Sequence, residues 1–264
     1  MADPDRGGTR ALAASSRGAD PFEGPATAQG WRWADFVITI LGVLVVGQVV
    51  AGLAVAAGGV EPSGDLSAGW IAIAGTASFV ATIGLAALLV GRRGRGSVVD
   101  AFGLGLRSSH LRYLAGGIGI SVIAGITLQA LGAIVDHQDS PQAVAEAVEA
   151  ASGPGLVLLI VAVVVFAPIG EEVLYRGLLF GAARRTQSLV SAALVSGAIF
   201  SSIHILGLDL SSGAAIALGA LGLVWFLIIG ALAAALVDRH KSLMPAIWLH
   251  MGFNLAGAVV LILS

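Results

Sequence analysis

Seven long apolar stretches divide the chain, at about Phe36 to Ala57, Ala68 to Val90, Tyr113 to Val135, Gly155 to Ala183, Leu189 to Leu206, Ser212 to Val237 and Leu243 to Leu263. About 20 residues at 1.5 Å rise cross the hydrocarbon core of a bilayer, so each stretch predicts a membrane-spanning helix. The fourth and sixth are long enough to bend or project. Ala54-Val-Ala56 looks like a signal-peptidase site, but the run around it is long enough to span and is read as a retained helix. Before it, Met1 to Gly30 has almost no large apolar residue to bury and is expected to be a disordered tail, leaving 31–264 as the membrane domain. Pro141 to Ala151 places Val144, Ala145 and Val148 on one face and predicts a short surface helix. Gly117, Ser121 and Gly125 line one side of the third span, a small-residue stripe that lets helices pack closely in lipid. The expected fold is therefore an all-α polytopic bundle of seven spans.

Composition agrees. With 57% hydrophobic and 11% charged residues and a mean hydropathy of +0.93, the chain lies outside the range of soluble domains, where about a quarter of residues are charged. The net charge of -2 matters less than where the charges lie. All 14 basic residues fall in the tail, in the loop after the second span, after the fourth span's charged motif, or between the sixth and seventh spans. The alternate loops carry acids and neither Lys nor Arg. Cytoplasmic loops are enriched in Lys and Arg, so the expected topology has a cytoplasmic N-terminus, and the Ala, Gly, Val and Arg bias suggests a bacterial cell membrane. Trp31, Trp33 and Trp70 stand at span ends, where indole rings favour the headgroup level. No basic stripe suggests a nucleic-acid partner, and the absence of cysteine excludes disulfides and thiolate chemistry.

Against this background the fourth span contains Glu171, Glu172 and Arg176. A charge at the centre of a membrane helix costs about 2.5 to 3.5 kcal/mol on insertion scales, so three so close together require pairing and suggest a function. Glu172 and Arg176 are four apart, as are Phe200 and His204 and again His250 and Asn254, which places each pair along one side of a helix. Carboxylates, imidazoles and a carboxamide can share one water: a carboxylate with an imidazole draws a proton from it, and a second imidazole with the amide meets the developing oxyanion. The chemistry this suggests is hydrolysis. Glu171, Glu172, His204 and His250 could instead hold a divalent metal such as zinc to activate the water, although no HExxH motif is present. Taken singly, the carboxylates and Arg176 could form a structural ion network, His204 a packed histidine, and Asn254 interhelical glue. His110, His137 and His240 stand in loops or at helix ends and are read as solvated, while Phe200 and Trp248 are read as packing residues.

With Glu171-Glu172-x-x-x-Arg176, Phe200-x-x-x-His204 and His250-x-x-x-Asn254 in this order on apolar helices, the chain resembles the CAAX protease and bacteriocin-processing (CPBP, or Abi) family of intramembrane proteases. The resemblance covers about residues 155–264 and implies a CAAX-protease-like core there, with eight spans in place of seven if the Ser212 to Val237 run contains a break or re-entrant piece. It implies that Glu171 works with His204 to activate water, that His250 and Asn254 stabilise the oxyanion, and that Glu172 and Arg176 support them. It implies an endopeptidase of glutamate or metallo type acting on a peptide or membrane-protein substrate within the bilayer. Nothing in the sequence matches a substrate-selecting element, so prenylated substrates do not follow from it. A non-catalytic binding, immunity or scaffold protein of the same fold would share the motifs. A proton-coupled transporter could use the buried carboxylates as a relay, but the chain has no internal repeat of the kind many transporters carry.

Overall fold

The computed structural model describes residues 30–58, 68–93, 96–135 and 153–263. The expected N-terminal tail and the short helix expected at 141–151 lie outside the described residues. The elements are α1 (Trp33–Ala56), α2 (Ala68–Arg92), the short α3 (Val98–Phe102), a single 3-10 turn (Ser108–His110), α4 (Arg112–Ile134), α5 (Gly153–Ala183), α6 (Leu189–Ser202) continued by a 3-10 turn (Ile203–Gly207), α7 (Gly213–His240) and α8 (Met244–Leu263). There is no strand among the described residues. Six of the helices are long and apolar enough to cross a membrane, and α6 with its 3-10 extension is a seventh, shorter apolar helix at Leu189–Ile205. The chain is an integral, multi-pass membrane protein. The long α7 runs unbroken, so the eighth span that a break in it would have allowed is not formed there.

Interruption occurs in α5 instead. Its first turns, Gly153–Val161, are α-helical; Ala162–Phe166 widens to a π-helix, Ala167–Glu171 returns to α, and Glu172–Phe180 widens again. Pro168 accounts for the first widening, because proline lacks the N–H that the carbonyl one turn before it requires. The same helix changes surroundings along its length. Val157 and Leu158 are exposed at 61% and 60%, whereas every residue from Glu172 to Ala183 is buried. The second half of α5 is thus the central element, with α1, α2, α6, α7 and α8 around it.

Close helix packing is set by missing side chains. A Cβ on Gly117 of α4 would lie 1.9 Å from the Leu249 carbonyl oxygen of α8, and one on Gly252 of α8 would lie 2.0 Å from that of Leu114. The two backbones therefore touch reciprocally, which fixes the position of α8 and of the residues it carries inward. Of the small-residue stripe on α4, Gly117 makes this contact while Gly125 faces open space.

All the basic residues that the structure describes outside α5's interior gather at one end of the bundle. There Trp31 departs from the expected headgroup position. It is 0% exposed, stacked on Phe102 with ring planes 2° apart and centroids at 5.2 Å. The Arg93 guanidinium lies 5.5 Å from its ring centroid. Arg93 also pairs with Asp35 at 2.6 Å, and Arg185 donates to the Trp31 carbonyl at 3.2 Å. With Phe102 and two arginines as neighbours, the indole gains more from protein packing than from lipid headgroups. Trp33, 42% exposed, stays on the outside of the bundle.

Gly252→Ala is expected to lower the thermal midpoint in detergent by an amount corresponding to about 1 to 3 kcal/mol or more, as overpacking does. Gly257→Ala, at a site with nothing within 4 Å, is expected to leave it unchanged. Equal midpoints for the two variants would contradict the reciprocal contact.

Candidate functional site

The adjacent carboxylates of α5 have opposite environments. Glu172 is fully buried, and one of its oxygens, Oε1, forms an ion pair with Arg176 Nη1 at 3.0 Å and accepts a hydrogen bond from His250 Nδ1 at 2.9 Å. The expected pairing within α5 is formed, and it extends to α8. A carboxylate beside a guanidinium accepts hydrogen bonds, so the His250 proton sits on Nδ1 and the other nitrogen, Nε2, is directed away from Glu172. That nitrogen lies 3.7 Å from Oε2 of Glu171. Glu171 is the accessible member of the pair, its side chain 31% exposed. The gap is too long for a direct hydrogen bond.

Arg176, 1% exposed, is held by more than its carboxylate. Its guanidinium lies 4.4 Å from the Phe200 ring centroid, a desolvated cation–π contact. Room for it comes from Gly230 of α7, where a Cβ would stand 3.0 Å from Arg176 Nη2 and 2.8 Å from the Cα of Gly197 on α6. The Phe200 ring in turn meets both imidazoles edge-on, with centroids 5.2 Å from His204 and 5.5 Å from His250. The residue read from sequence as packing therefore joins the arginine to both histidines.

His204 sits on the 3-10 extension of α6, half-buried. Its Nδ1 is 3.2 Å from the Phe200 carbonyl oxygen. A carbonyl only accepts, so Nδ1 donates and Nε2 of the neutral ring presents its lone pair. The ring stacks on Phe226 of α7, centroids 3.9 Å apart and planes at 20°. Phe226 was not legible as a site residue, because α7 carries no polar residue nearby to draw attention to it. Glu171 thus stands against His250 in place of the expected His204, which reaches the cluster through Phe200.

Asn254 follows His250 by one turn of α8, and its Nδ2 donates to the Val163 carbonyl at 2.9 Å. The π-turn explains why that carbonyl is available. In this register Ala167 N–H bonds to Ala162 oxygen, so the next donor in line for Val163 is the missing N–H of Pro168. Asn254 supplies it from another helix. The signal in the sequence was Pro168 inside a membrane span.

The donor set does not fit a metal cage. Among the described residues no group of three or more His, Asp or Glu side chains is arranged to hold a metal ion. Glu172 is already committed to Arg176 and His250, and a buried guanidinium beside the site opposes a further cation.

Neither the curated proteins nor the solved structures contain a match to this chain. A double-mutant cycle tests the Val163 contact: Asn254→Ala is expected to cost about 1 kcal/mol of stability, the scale of interhelical hydrogen bonds in membranes. In a Pro168→Ala background, which restores a backbone donor, the cost is expected to fall to near zero; an unchanged cost would separate the two residues. Residues 153–256, which contain Glu171, Glu172, Arg176, His204, His250 and Asn254, match the family model described as Rce1-like, type II CAAX prenyl endopeptidase Rce1-like.

Proposed function

We propose that the chain is an intramembrane endopeptidase in which Glu171 is the general base, and that it cleaves a peptide or membrane-protein substrate without a metal. The observation that carries this reading is the division of labour between the two carboxylates. Glu172 is buried and bonded to Arg176 and His250, whereas Glu171 is open and stands 3.7 Å from the free nitrogen of the same imidazole.

Charge counting supports the assignment. Two carboxylates and one arginine leave one negative charge, and one proton shared between Glu171 and His250 brings the cluster to neutrality, the state a low-dielectric interior favours. With that proton on His250 Nε2, Glu171 is ionised. A water hydrogen-bonded to Glu171 can place its second hydrogen on the lone pair of His204 Nε2. As its oxygen bonds to the substrate carbonyl carbon, Glu171 takes the proton. The resulting oxyanion is met by His250 Nε2–H and by the amide proton of Asn254 not engaged with Val163. Collapse breaks the carbon–nitrogen bond, and Glu171 passes its proton to the leaving nitrogen. Glu172 and Arg176 are positioning residues, holding the His250 tautomer and ring plane.

Two variants separate these roles. Glu171→Gln is expected to lower cleavage at least about a hundredfold, the scale of general-base loss, with the thermal midpoint unchanged. Glu172→Gln is expected to lower both, because it leaves a buried arginine unpaired. Mass spectrometry of membrane peptides from cells carrying wild type or Glu171→Gln reads the cleavage and identifies the substrate together. Identical peptide profiles would favour a binding or scaffold protein. In proteoliposomes with an identified substrate, chelators are expected to leave the rate unchanged, and inhibition reversed by added zinc would overturn the metal-free step.

A further inference from the structure

Away from this cluster, a second group of polar side chains meets at the arginine-rich end, where α4 begins and α7 ends. His110 and His240, read from sequence as solvated, are packed together there. His110 is 4% exposed, and its Nδ1 is buried with no hydrogen-bond partner among the described residues. Its ring meets His240 edge-on at 5.6 Å between centroids. His240 Nε2 lies 2.7 Å from the Tyr113 hydroxyl, which accepts Arg112 Nη2 at 3.0 Å. Arg107 and Arg112 are within electrostatic reach of both imidazoles, and Arg239 is within reach of His240.

Uncompensated charge gathers in this group, because the charged side chains acting on the two imidazoles include arginines and, among the described residues, no carboxylate. Arg93, Arg176, Arg184 and Lys241 each pair with a carboxylate, whereas none of the ion pairs among the described residues includes Arg107, Arg112 or Arg239. The 3-10 turn Ser108–His110 runs through Leu111 directly into the 23-residue α4, which carries Arg107, His110, Arg112 and Tyr113 into one region. Two apolar side chains flank the arginines, Leu106 at 77% exposure and Leu111 at 48%. Guanidiniums outside any ion pair and a buried imidazole nitrogen without a partner suit a phosphate, and exposed leucines beside them suit acyl chains. Phosphate and acyl chain together make a lipid.

We propose that Arg107, Arg112 and Arg239, with His110, His240 and Tyr113, form a site for the phosphate-bearing headgroup of an anionic lipid in the leaflet that contacts the arginine-rich end. The site lies apart from the Glu171 cluster and does not depend on the protease reading.

Native mass spectrometry of the full chain, released from nanodiscs of phosphatidylcholine with a minor share of phosphatidylglycerol, tests it. Wild type is expected to retain phosphatidylglycerol in preference to phosphatidylcholine. Each Arg→Gln change at 107, 112 or 239 is expected to weaken retention about fivefold, the worth of one basic residue at a charged membrane surface. Arg239→Gln alone, at an exposed helix end, guards against misfolding of the triple variant. Arg92→Gln, which removes a charge from the same end that does not act on either imidazole, is expected to leave retention within about twofold; a loss of about fivefold there too would show general attraction to the charged surface and overturn the site. Equal retention of both lipids, or a triple variant that binds as wild type does, would overturn the proposal. Displacement of the lipid by millimolar inorganic phosphate or glycerol phosphate would overturn the lipid source and assign a soluble phosphate instead.

Discussion

A carboxylate with no exposure to solvent, Glu172, is the constraint on which the rest of the membrane core depends. Taken out of water alone it would be prohibitive, and removing one partner from such a buried pair costs about 3 to 5 kcal/mol. The chain answers by converging on it. Arg176 comes from the same helix and His250 from α8, and Phe200 of α6 covers the guanidinium from the other side. The contact also selects a tautomer. Because Glu172 takes the Nδ1 proton, His250 turns Nε2 toward Glu171, and the structural pair thereby orients the chemistry beside it. Packing supplies the room: Gly230 makes space for the arginine, and Gly117 with Gly252 lets α8 approach α4 until their backbones touch.

Much of this was legible in the sequence for a simple reason. In lipid, a helix must satisfy its own backbone and show apolar side chains outward, so span positions follow from apolar run length alone. The seven runs accordingly became seven apolar helices, with ends shifted by a few residues. Spacing by four also carried through: Glu172 and Arg176 pair, and His204 bonds back to the Phe200 carbonyl. What did not carry through depended on the third dimension. Trp31 and His110 stand at positions where sequence indicates headgroups or water, yet tertiary neighbours bury both. Phe226 was invisible because its role lies in the histidine ring that stacks on it from another helix. Partner choice was equally hidden: Glu171 was expected to face His204, and the imidazole that stands 3.7 Å from it is that of His250.

The departure of α5 from α-helical register joins these points. A proline in a membrane span leaves a carbonyl without its donor, and the bilayer offers no water to replace it. Widening the turn moves the orphan from one residue to another without removing it. Here the orphan is the Val163 carbonyl, and Asn254 reaches across from α8 to satisfy it. That bond looks purely structural, and Asn254 could be dismissed as interhelical glue on its account. The geometry of a carboxamide argues otherwise. Its nitrogen carries two protons in the amide plane, and fixing one on a backbone carbonyl fixes the direction of the other. A donor that meets a transient oxyanion is effective to the extent that it is already oriented before the charge develops. The hydrogen bond to Val163 is therefore what would make the second N–H of Asn254 useful, and Pro168, which touches no substrate, would act through it.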